Sequence, residues 1–325
     1  MKRTKLLSVI LALVLTFSLA ACGNKNTTTN DAKNNTTNSE ATTDDTTKEV
    51  EKSAIEVAVN DYFTSMPEDI YKINQAKFIE KVQAGEDIFV LDIRTAEDYA
   101  AGHITGAVNA PWGTAISDNL DKLPSDKTIM VYCYTGQTAG QTVALLNMAG
   151  FDAKSVNLGW MLGISKVEGY EDVTETTVTE FPEVEALSID ADIEKAIKEY
   201  YAGLADVKET QFKNYKISED NAKKAVDTGD DTIVFLSIRS AEDFAAGHIE
   251  GATNIPWGND MAEQFGTLPT DKTIVVYCYT GQTAGQTVAA LRLLGLDAVS
   301  LNGGMGMEKA NPGMGWGNKG FEVVQ

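Results

Sequence analysis

The chain has 325 residues, a formal net charge of −20 and a hydrophobic content of 43%. Its length predicts about two domains, and its apolar content is sufficient for their cores. Such strong acidity disfavours binding to nucleic acid and electrostatic docking on anionic lipid, so we expect neither as a partner.

The first 22 residues have the pattern of a secretory signal peptide. Met1–Lys5 is basic, Leu6–Ala20 is apolar, and Leu19–Cys22 forms a lipobox, in which the cysteine becomes the acylated first residue of the mature protein. The apolar run is short for a spanning helix. We therefore expect a lipoprotein on the extracytoplasmic face of the cell membrane, attached through its lipid anchor only. The alternative is ordinary cleavage at an A-x-A-like site, with Cys22 incidental.

The rest of the chain divides into a polar segment and two repeats. Residues 23–52 are rich in Thr and Asn and predict a disordered tether. Asp92–Asn157 and Ser237–Asn302 align without a gap. Upstream, Tyr71-Lys72-Ile73 matches Tyr215-Lys216-Ile217. We expect one domain over residues 53–170, an acidic linker over 171–190 and a second domain over 191–325.

Within each repeat, apolar spacing typical of helices alternates with short apolar runs typical of strands. In the first repeat the pattern predicts, in chain order, a helix from Ile55, a helix over Gln75–Ala84, a strand over Ile88–Leu91 and a short helix capped by Thr95. It then predicts strands over Ala107–Ala110 and Ile129–Tyr132, a helix over Thr138–Ala149 and a strand over Lys154–Val156. Such alternation predicts an α/β fold with a parallel sheet and helices on both faces.

The thirteen residues Tyr132–Ala144 recur unchanged as Tyr277–Ala289. In each copy one cysteine, Cys133 or Cys278, lies between a predicted strand and a predicted helix, where sites form in parallel sheets. A glycine permits the loop to curl its amides inward, and the helix N-terminus adds partial positive charge. Both features favour a thiolate and would also hold a persulfide anion. The alternative is a buried cysteine that fills a gap in the core.

The remaining cysteine and the histidines limit other chemistry. Once Cys22 is assigned to lipidation, no cysteine remains for a structural disulfide beyond a pairing of Cys133 with Cys278. His103 and His248 are repeat equivalents, and neither belongs to a cluster with zinc or haem spacing. We therefore expect no metal and no cofactor.

Three segments of each repeat together resemble the rhodanese (sulfurtransferase) domain. They are Leu91–Arg94, Glu97–Pro111 and Val131–Thr138 in the first repeat, and the same marks lie within Leu236–Pro256 and Val276–Thr283 in the second. The resemblance implies two tandem domains, each a five-stranded parallel sheet flanked by helices. It also implies that Cys133 and Cys278 carry sulfane sulfur as persulfides from a small donor to a thiophilic acceptor. The implied persulfide-binding loops consist of Tyr134, Thr135, Gly136, Gln137 and Thr138, and of Tyr279, Thr280, Gly281, Gln282 and Thr283.

The composition of the loop separates this chain from related enzymes of the same fold. Phosphatases of that fold have one more loop residue and end in an arginine that clamps phosphate. Here the sixth residue is Thr138 and the seventh is Ala139, so phosphatase and arsenate reductase chemistry is not expected. The loop also lacks the cation with which many relatives bind thiosulfate, so we expect weak activity with that donor.

Asp92, Arg94 and Arg239 are expected to support the sites. Arg94 either shapes the mouth of the site or forms a structural ion pair, with Asp92 or near Glu97, and the second interpretation is favoured. Ser237 stands where the first repeat has Asp92, so we expect the two sites to differ. A sulfurtransferase is the leading function. The alternatives are a non-catalytic rhodanese-fold module that senses sulfur or binds a partner protein, and a thiol-redox protein.

Overall fold

Each repeat folds around its own five-stranded parallel sheet in the computed structural model, which describes residues 52–325. The first repeat contains strands β1 Lys72–Ile73, β2 Phe89–Asp92, β3 His103–Ile104, β4 Val108–Asn109, β5 Ile129–Tyr132, β6 Ala153–Val156 and β7 Thr174–Glu175, and helices α1 Ala54–Thr64, α2 Gln75–Gln83, α3 Ala96–Ala101, α4 Thr114–Ser117 and α5 Gln137–Met148. Its sheet has the order β1-β6-β5-β2-β4, and β3 pairs with β7 in a separate antiparallel ribbon.

The second repeat has the same order of strands. It contains α6 Ala191–Ala202, α7 Leu204–Val207, β8 Lys216–Ile217, α8 Glu219–Thr228, β9 Ile233–Ser237, α9 Ala241–Ala246, β10 Thr253–Asn254, β11 Thr273–Tyr277, α10 Gln282–Leu293 and β12 Ala298–Leu301. Its sheet runs β10-β9-β11-β12-β8 with every neighbour parallel. The predicted α/β fold with five-stranded parallel sheets is confirmed.

Local sequence explains where these elements begin. Ser53 and Glu56 form a reciprocal capping box at α1, and the Thr95 hydroxyl accepts a hydrogen bond from the Asp98 amide at α3. All four residues of β5 are buried, as expected for a central strand of a parallel sheet. The capped helices and apolar strands therefore follow directly from the sequence.

The two repeats pack against each other through α5 and α10, the helices that follow the cysteine loops. A Cβ atom on Gly140 would lie 2.4 Å from the carbonyl oxygen of Gln282, and one on Gly285 would lie 2.4 Å from that of Gln137. Any larger residue would force the helices apart, so these two glycines set their close approach. Most buried apolar side chains of the two repeats form one continuous cluster across this contact, and a second cluster lies within the first repeat.

The first helix of each repeat packs partly on the other repeat. Phe63 of α1 lies 5.5 Å, between ring centroids, from both Trp257 and Phe265 of the second repeat. Tyr201 of α6 lies 5.4 Å from Trp112 of the first repeat. This exchange of helices ties the repeats together on both sides of the α5–α10 contact.

Several predictions concern other parts of the chain. The signal peptide, Cys22 and nearly all of the tether lie outside the described residues. The segment 171–190, predicted as a linker, contains β7 and a bridge between Thr179 and Val108. Among residues 52–325, no helix has both the length and the apolarity needed to cross a membrane.

Candidate active site

Cys133 lies where β5 ends and α5 begins, and the following backbone curls around its sulfur. The amide of Gly136 lies 3.1 Å and that of Ala139 lies 3.4 Å from Sγ. In the second loop the amide of Gly281 lies 3.1 Å from Sγ of Cys278. Both thiols are free and buried. Two backbone donors and a helix N-terminus therefore face Cys133, an arrangement that stabilises negative charge on sulfur.

Glycines give the loop this shape from two directions. Gly136 has φ +87° and Gly281 has φ +89°, a region that residues with side chains rarely adopt. Behind the first loop, a Cβ on Gly159 would lie 2.5 Å from the Cys133 carbonyl oxygen and 2.8 Å from the Gly136 amide nitrogen. Gly304 occupies the equivalent place behind Cys278. The backbone after the last strand thus closes directly on each loop.

The tyrosine after each cysteine anchors the loop to the neighbouring short helix. The Tyr134 hydroxyl donates to the Asp98 carboxylate and accepts the Thr95 amide at 3.1 Å. The hydrogen bond from Tyr134 lowers the pKa of Asp98. Tyr279 makes the equivalent bond to Asp243. These tyrosines form part of the rim, where Tyr134 is half-buried and Tyr279 is 37% exposed.

The glutamine of each loop reaches into the other repeat. Gln137 Nε2 donates to Ser300 Oγ at 3.0 Å and to the Leu301 carbonyl at 2.8 Å. Gln282 Nε2 donates to Ser155 Oγ at 2.7 Å. These two side chains join the two repeats at the loops that carry the cysteines.

Arg94 and Asp92 form a buried ion pair. Arg94 Nη2 lies 2.6 Å and Nε lies 3.1 Å from Asp92 Oδ2, and Nη2 also donates to the Gly102 carbonyl at 2.7 Å. The guanidinium stacks 4.0 Å from the Trp160 ring, and the Trp160 amide donates to the Cys133 carbonyl at 2.7 Å. Arg94 is 3% exposed, so it acts on the loop through Trp160 rather than at an open mouth.

The second repeat lacks this ion pair. Ser237 Oγ accepts a hydrogen bond from the Arg239 amide at 3.4 Å, and Arg239 Nη2 donates to the Gly247 carbonyl at 2.6 Å. The buried Nε of Arg239 has no partner among the described residues. Met305 also replaces the stacking Trp160. Behind the two identical loops, the buried arginine is therefore paired with a carboxylate in the first repeat and not in the second.

Two lysines, Lys216 and Lys72, were not predicted from the sequence as site residues. Burial lowers the pKa of Lys216, on β8, and of Lys72, on β1, while the charge of Cys133 raises that of Lys216 and the charge of Cys278 raises that of Lys72. Each lysine belongs to the repeat opposite its cysteine. The match of Tyr71-Lys72-Ile73 with Tyr215-Lys216-Ile217 was the available signal. In the described part of the chain, no group of three His, Cys, Asp or Glu residues could hold a metal ion.

One family model matches both repeats. The model of the rhodanese-like domain matches residues 74–163 and 218–306, which together make up more than half of the chain. The chain belongs to the rhodanese-like domain family. The tandem arrangement expected from the resemblance is thereby confirmed, and its relatives include sulfurtransferases.

Three comparisons illustrate the range of proteins to which this rhodanese-like chain is similar. It is 34% identical over 109 residues to an HTH-type transcriptional regulator of Mycobacterium tuberculosis, covering 33% of this chain and 46% of the regulator. It is 34% identical over 85 residues to the thiosulfate sulfurtransferase GlpE of Pseudomonas entomophila, covering 26% of this chain and 77% of GlpE. The crystal structure of SseA, a 3-mercaptopyruvate sulfotransferase of Escherichia coli, is 19% identical, covers 72% of this chain and 98% of SseA, and has a TM-score of 0.33.

Proposed function

We propose that the chain is a sulfurtransferase that carries sulfane sulfur as a persulfide on Cys133 and on Cys278. The observation that carries the proposal is the pair of amides directed at the Cys133 sulfur, at 3.1 and 3.4 Å. In the second loop, which has the same thirteen residues, the Gly281 amide lies 3.1 Å from Cys278 Sγ. Similarity to a thiosulfate sulfurtransferase supports the reaction class.

The proposed reaction has two balanced steps. First, the cysteine thiolate attacks the outer sulfur of a donor such as thiosulfate. A sulfur–sulfur bond forms to the cysteine, the bond within the donor breaks, and sulfite leaves with its electron pair. Second, an acceptor thiolate attacks the outer sulfur of the persulfide, and the cysteine thiolate is released. The loop amides stabilise negative charge at each stage, as preorganised donors do in other active sites.

We further propose that the protein acts outside the cytoplasm, attached to the membrane through lipidated Cys22. The lipobox and the polar segment that follows support this location. Cys22→Ser is expected to release the protein from the membrane fraction. Retention of that variant after a carbonate wash would contradict the lipid anchor while leaving the sulfur chemistry untouched.

Peptide mass spectrometry tests the reaction at each site separately. The full chain is incubated with thiosulfate or with a low-molecular-weight persulfide, and the peptides with Cys133 and Cys278 are compared. We expect each to gain one sulfur atom, and the gain to disappear after addition of a thiol acceptor. Cys133→Ser and Cys278→Ser are matched controls, because each removes one carrier and leaves an identical loop. No gain at either cysteine with any donor would favour a non-catalytic module.

A further inference from the structure

The first observation places Lys216 beside the Cys133 loop through the backbone. Lys216 pairs in register with Ser300 in the parallel sheet, so the two side chains share one face. Ser300 Oγ accepts the hydrogen bond from Gln137, which lies four residues after Cys133. The strand that carries Lys216 therefore lies next to the residue that the Cys133 loop contacts.

A second contact fixes the chain just before Lys216. The Asn214 carbonyl accepts Gln141 Nε2, from the same helix α5, at 3.4 Å. Asn214 and Tyr215 have φ +60° and +49°, a left-handed conformation that is costly for non-glycine residues. The helix that follows Cys133 thus contacts both the strand beside Lys216, through Gln137, and the chain just before it, through Gln141.

The same arrangement recurs for Lys72 and Cys278. Lys72 pairs in register with Ser155, whose hydroxyl accepts Gln282 Nε2 at 2.7 Å. The Ile70 carbonyl accepts Gln286 Nε2 at 3.3 Å. Ile70 and Tyr71 have φ +49° and +56°. In both copies, therefore, the glutamines of the cysteine helix contact the strand neighbour of the lysine and the chain just before the lysine.

The charges agree with this placement. Burial lowers the pKa of both lysines, and the charge of the opposite cysteine raises it: Cys133 acts on Lys216, together with Glu219, and Cys278 acts on Lys72. Both side chains are half-buried. Within residues 52–325 neither ammonium lies within 4.0 Å of a carboxylate, whereas Lys154 pairs with Asp69. A partly desolvated cation without a carboxylate partner is suited to hold an anion.

We propose that Lys216 serves Cys133 and Lys72 serves Cys278, each supplying from the opposite repeat the cation that holds an anionic sulfur donor and then the persulfide. The proposal rests on the proposed function for its substrate, because the anion is the sulfur donor. During transfer, the lysine faces two negative charges. One belongs to the sulfite that leaves, and the other belongs to the outer sulfur of the persulfide. Each active site is then composite, and neither repeat is complete alone.

Alkylation with two reagents that differ only in charge tests the lysines without any sulfur transfer. Iodoacetate and iodoacetamide both form a carbon–sulfur bond with the thiolate and release iodide, but only iodoacetate is an anion. The rate with iodoacetate divided by the rate with iodoacetamide, at one pH, is measured for each cysteine of the full chain by peptide mass spectrometry. Glutathione provides the ratio for an exposed thiol.

We expect ratios at both cysteines of the wild type to exceed that of glutathione. Lys216→Met should lower the ratio at Cys133 by about tenfold, the order expected for removal of one unit charge from a partly desolvated site. It should leave the ratio at Cys278 unchanged. Lys72→Met should produce the reverse pattern, and Lys216→Arg should restore most of the ratio at Cys133. Thiosulfate loading of each cysteine should follow the same crossed pattern.

Three results would overturn the proposal: a loss confined to the cysteine of the same repeat, an equal loss at both cysteines, or no loss at either. If a methionine variant does not fold, the wild-type ratios and the arginine variants still decide, because wild-type ratios at or below that of glutathione exclude a nearby cation. Failure of the sulfurtransferase proposal gives a different result. No sulfur would be gained from thiosulfate, while the crossed alkylation pattern would persist.

Discussion

Replacing Asp92 with serine gives the first repeat the residue that the second repeat has at Ser237. In the wild type, Asp92 accepts three close contacts from the Arg94 side chain, at 2.6 to 3.1 Å, and is fully buried. The variant leaves the guanidinium buried without a carboxylate. The bond to Gly102 and the stacking on Trp160 remain.

The size of the loss follows from the burial of the pair. Removing one partner of a buried ion pair costs about 3–5 kcal/mol, because the other charge is left uncompensated. The contacts that Arg94 retains favour the lower end, about 3 kcal/mol. For a unit of this size, such a loss lowers the melting temperature by roughly 6–12 °C.

Urea unfolding and thermal melting of Asp92→Ser measure this loss directly. Ser237→Asp is the matched control, because it offers a carboxylate to Arg239, whose buried Nε lacks a partner. We expect Asp92→Ser to lower stability and Ser237→Asp to raise it. If Asp92→Ser melts at the wild-type temperature, the ion pair does not stabilise the first repeat and the reasoning fails.

Three further predictions concern the first loop. Gly159→Ala should abolish sulfur loading at Cys133 but not at the second site, because its Cβ would collide with the loop backbone; peptide mass spectrometry measures both, and equal loss would contradict local action. Leu158→Gly should raise the melting temperature by relieving φ +61°, and a decrease would show that the leucine side chain outweighs the strain. Tyr134→Phe should raise the pKa of Asp98 toward its ordinary value of about 4. The depressed folded-state value stabilises the protein above the unfolded-state pKa, so the variant should lose less stability on acidification; an unchanged Asp98 titration by NMR would refute this.

The parts of the fold with strong periodicity could be predicted from the sequence. The strand Ile129–Tyr132 has the predicted bounds, and α5 begins one residue before its predicted start. The fifth strand of each sheet could not be located, because β1 and β8 have two residues each and show no period. Their positions depend on pairing with β6 and β12 rather than on local propensity.

Contacts between the repeats were also beyond sequence reasoning. Gly140 appears in the sequence as a small residue in a helix, and only the packing of α5 on α10 explains it. Gln137 was predicted as a loop residue, but its amide group reaches the last strand of the other repeat. Arg94 pairs with Asp92, one of the two partners that the sequence offered.

The expectation of weak thiosulfate activity depended on a loop considered within its own repeat. The loop indeed has no cation, but the charge of Cys133 acts on the pKa of Lys216, which lies on β8 of the other repeat. Under the composite-site proposal, an uncharged loop does not imply an uncharged site. Glu219 adds a difference between the sites, because it acts on Lys216 whereas Gln75 stands at the equivalent position near Lys72.

The most direct test of the central claim is the mass of the peptides that contain Cys133 and Cys278 after exposure of the full chain to thiosulfate or a persulfide. The account predicts that each peptide gains one sulfur atom, and that an added thiol acceptor removes it. Unchanged masses with both donors, in protein whose cysteines still react with iodoacetamide, would contradict the assignment of these cysteines as sulfur carriers.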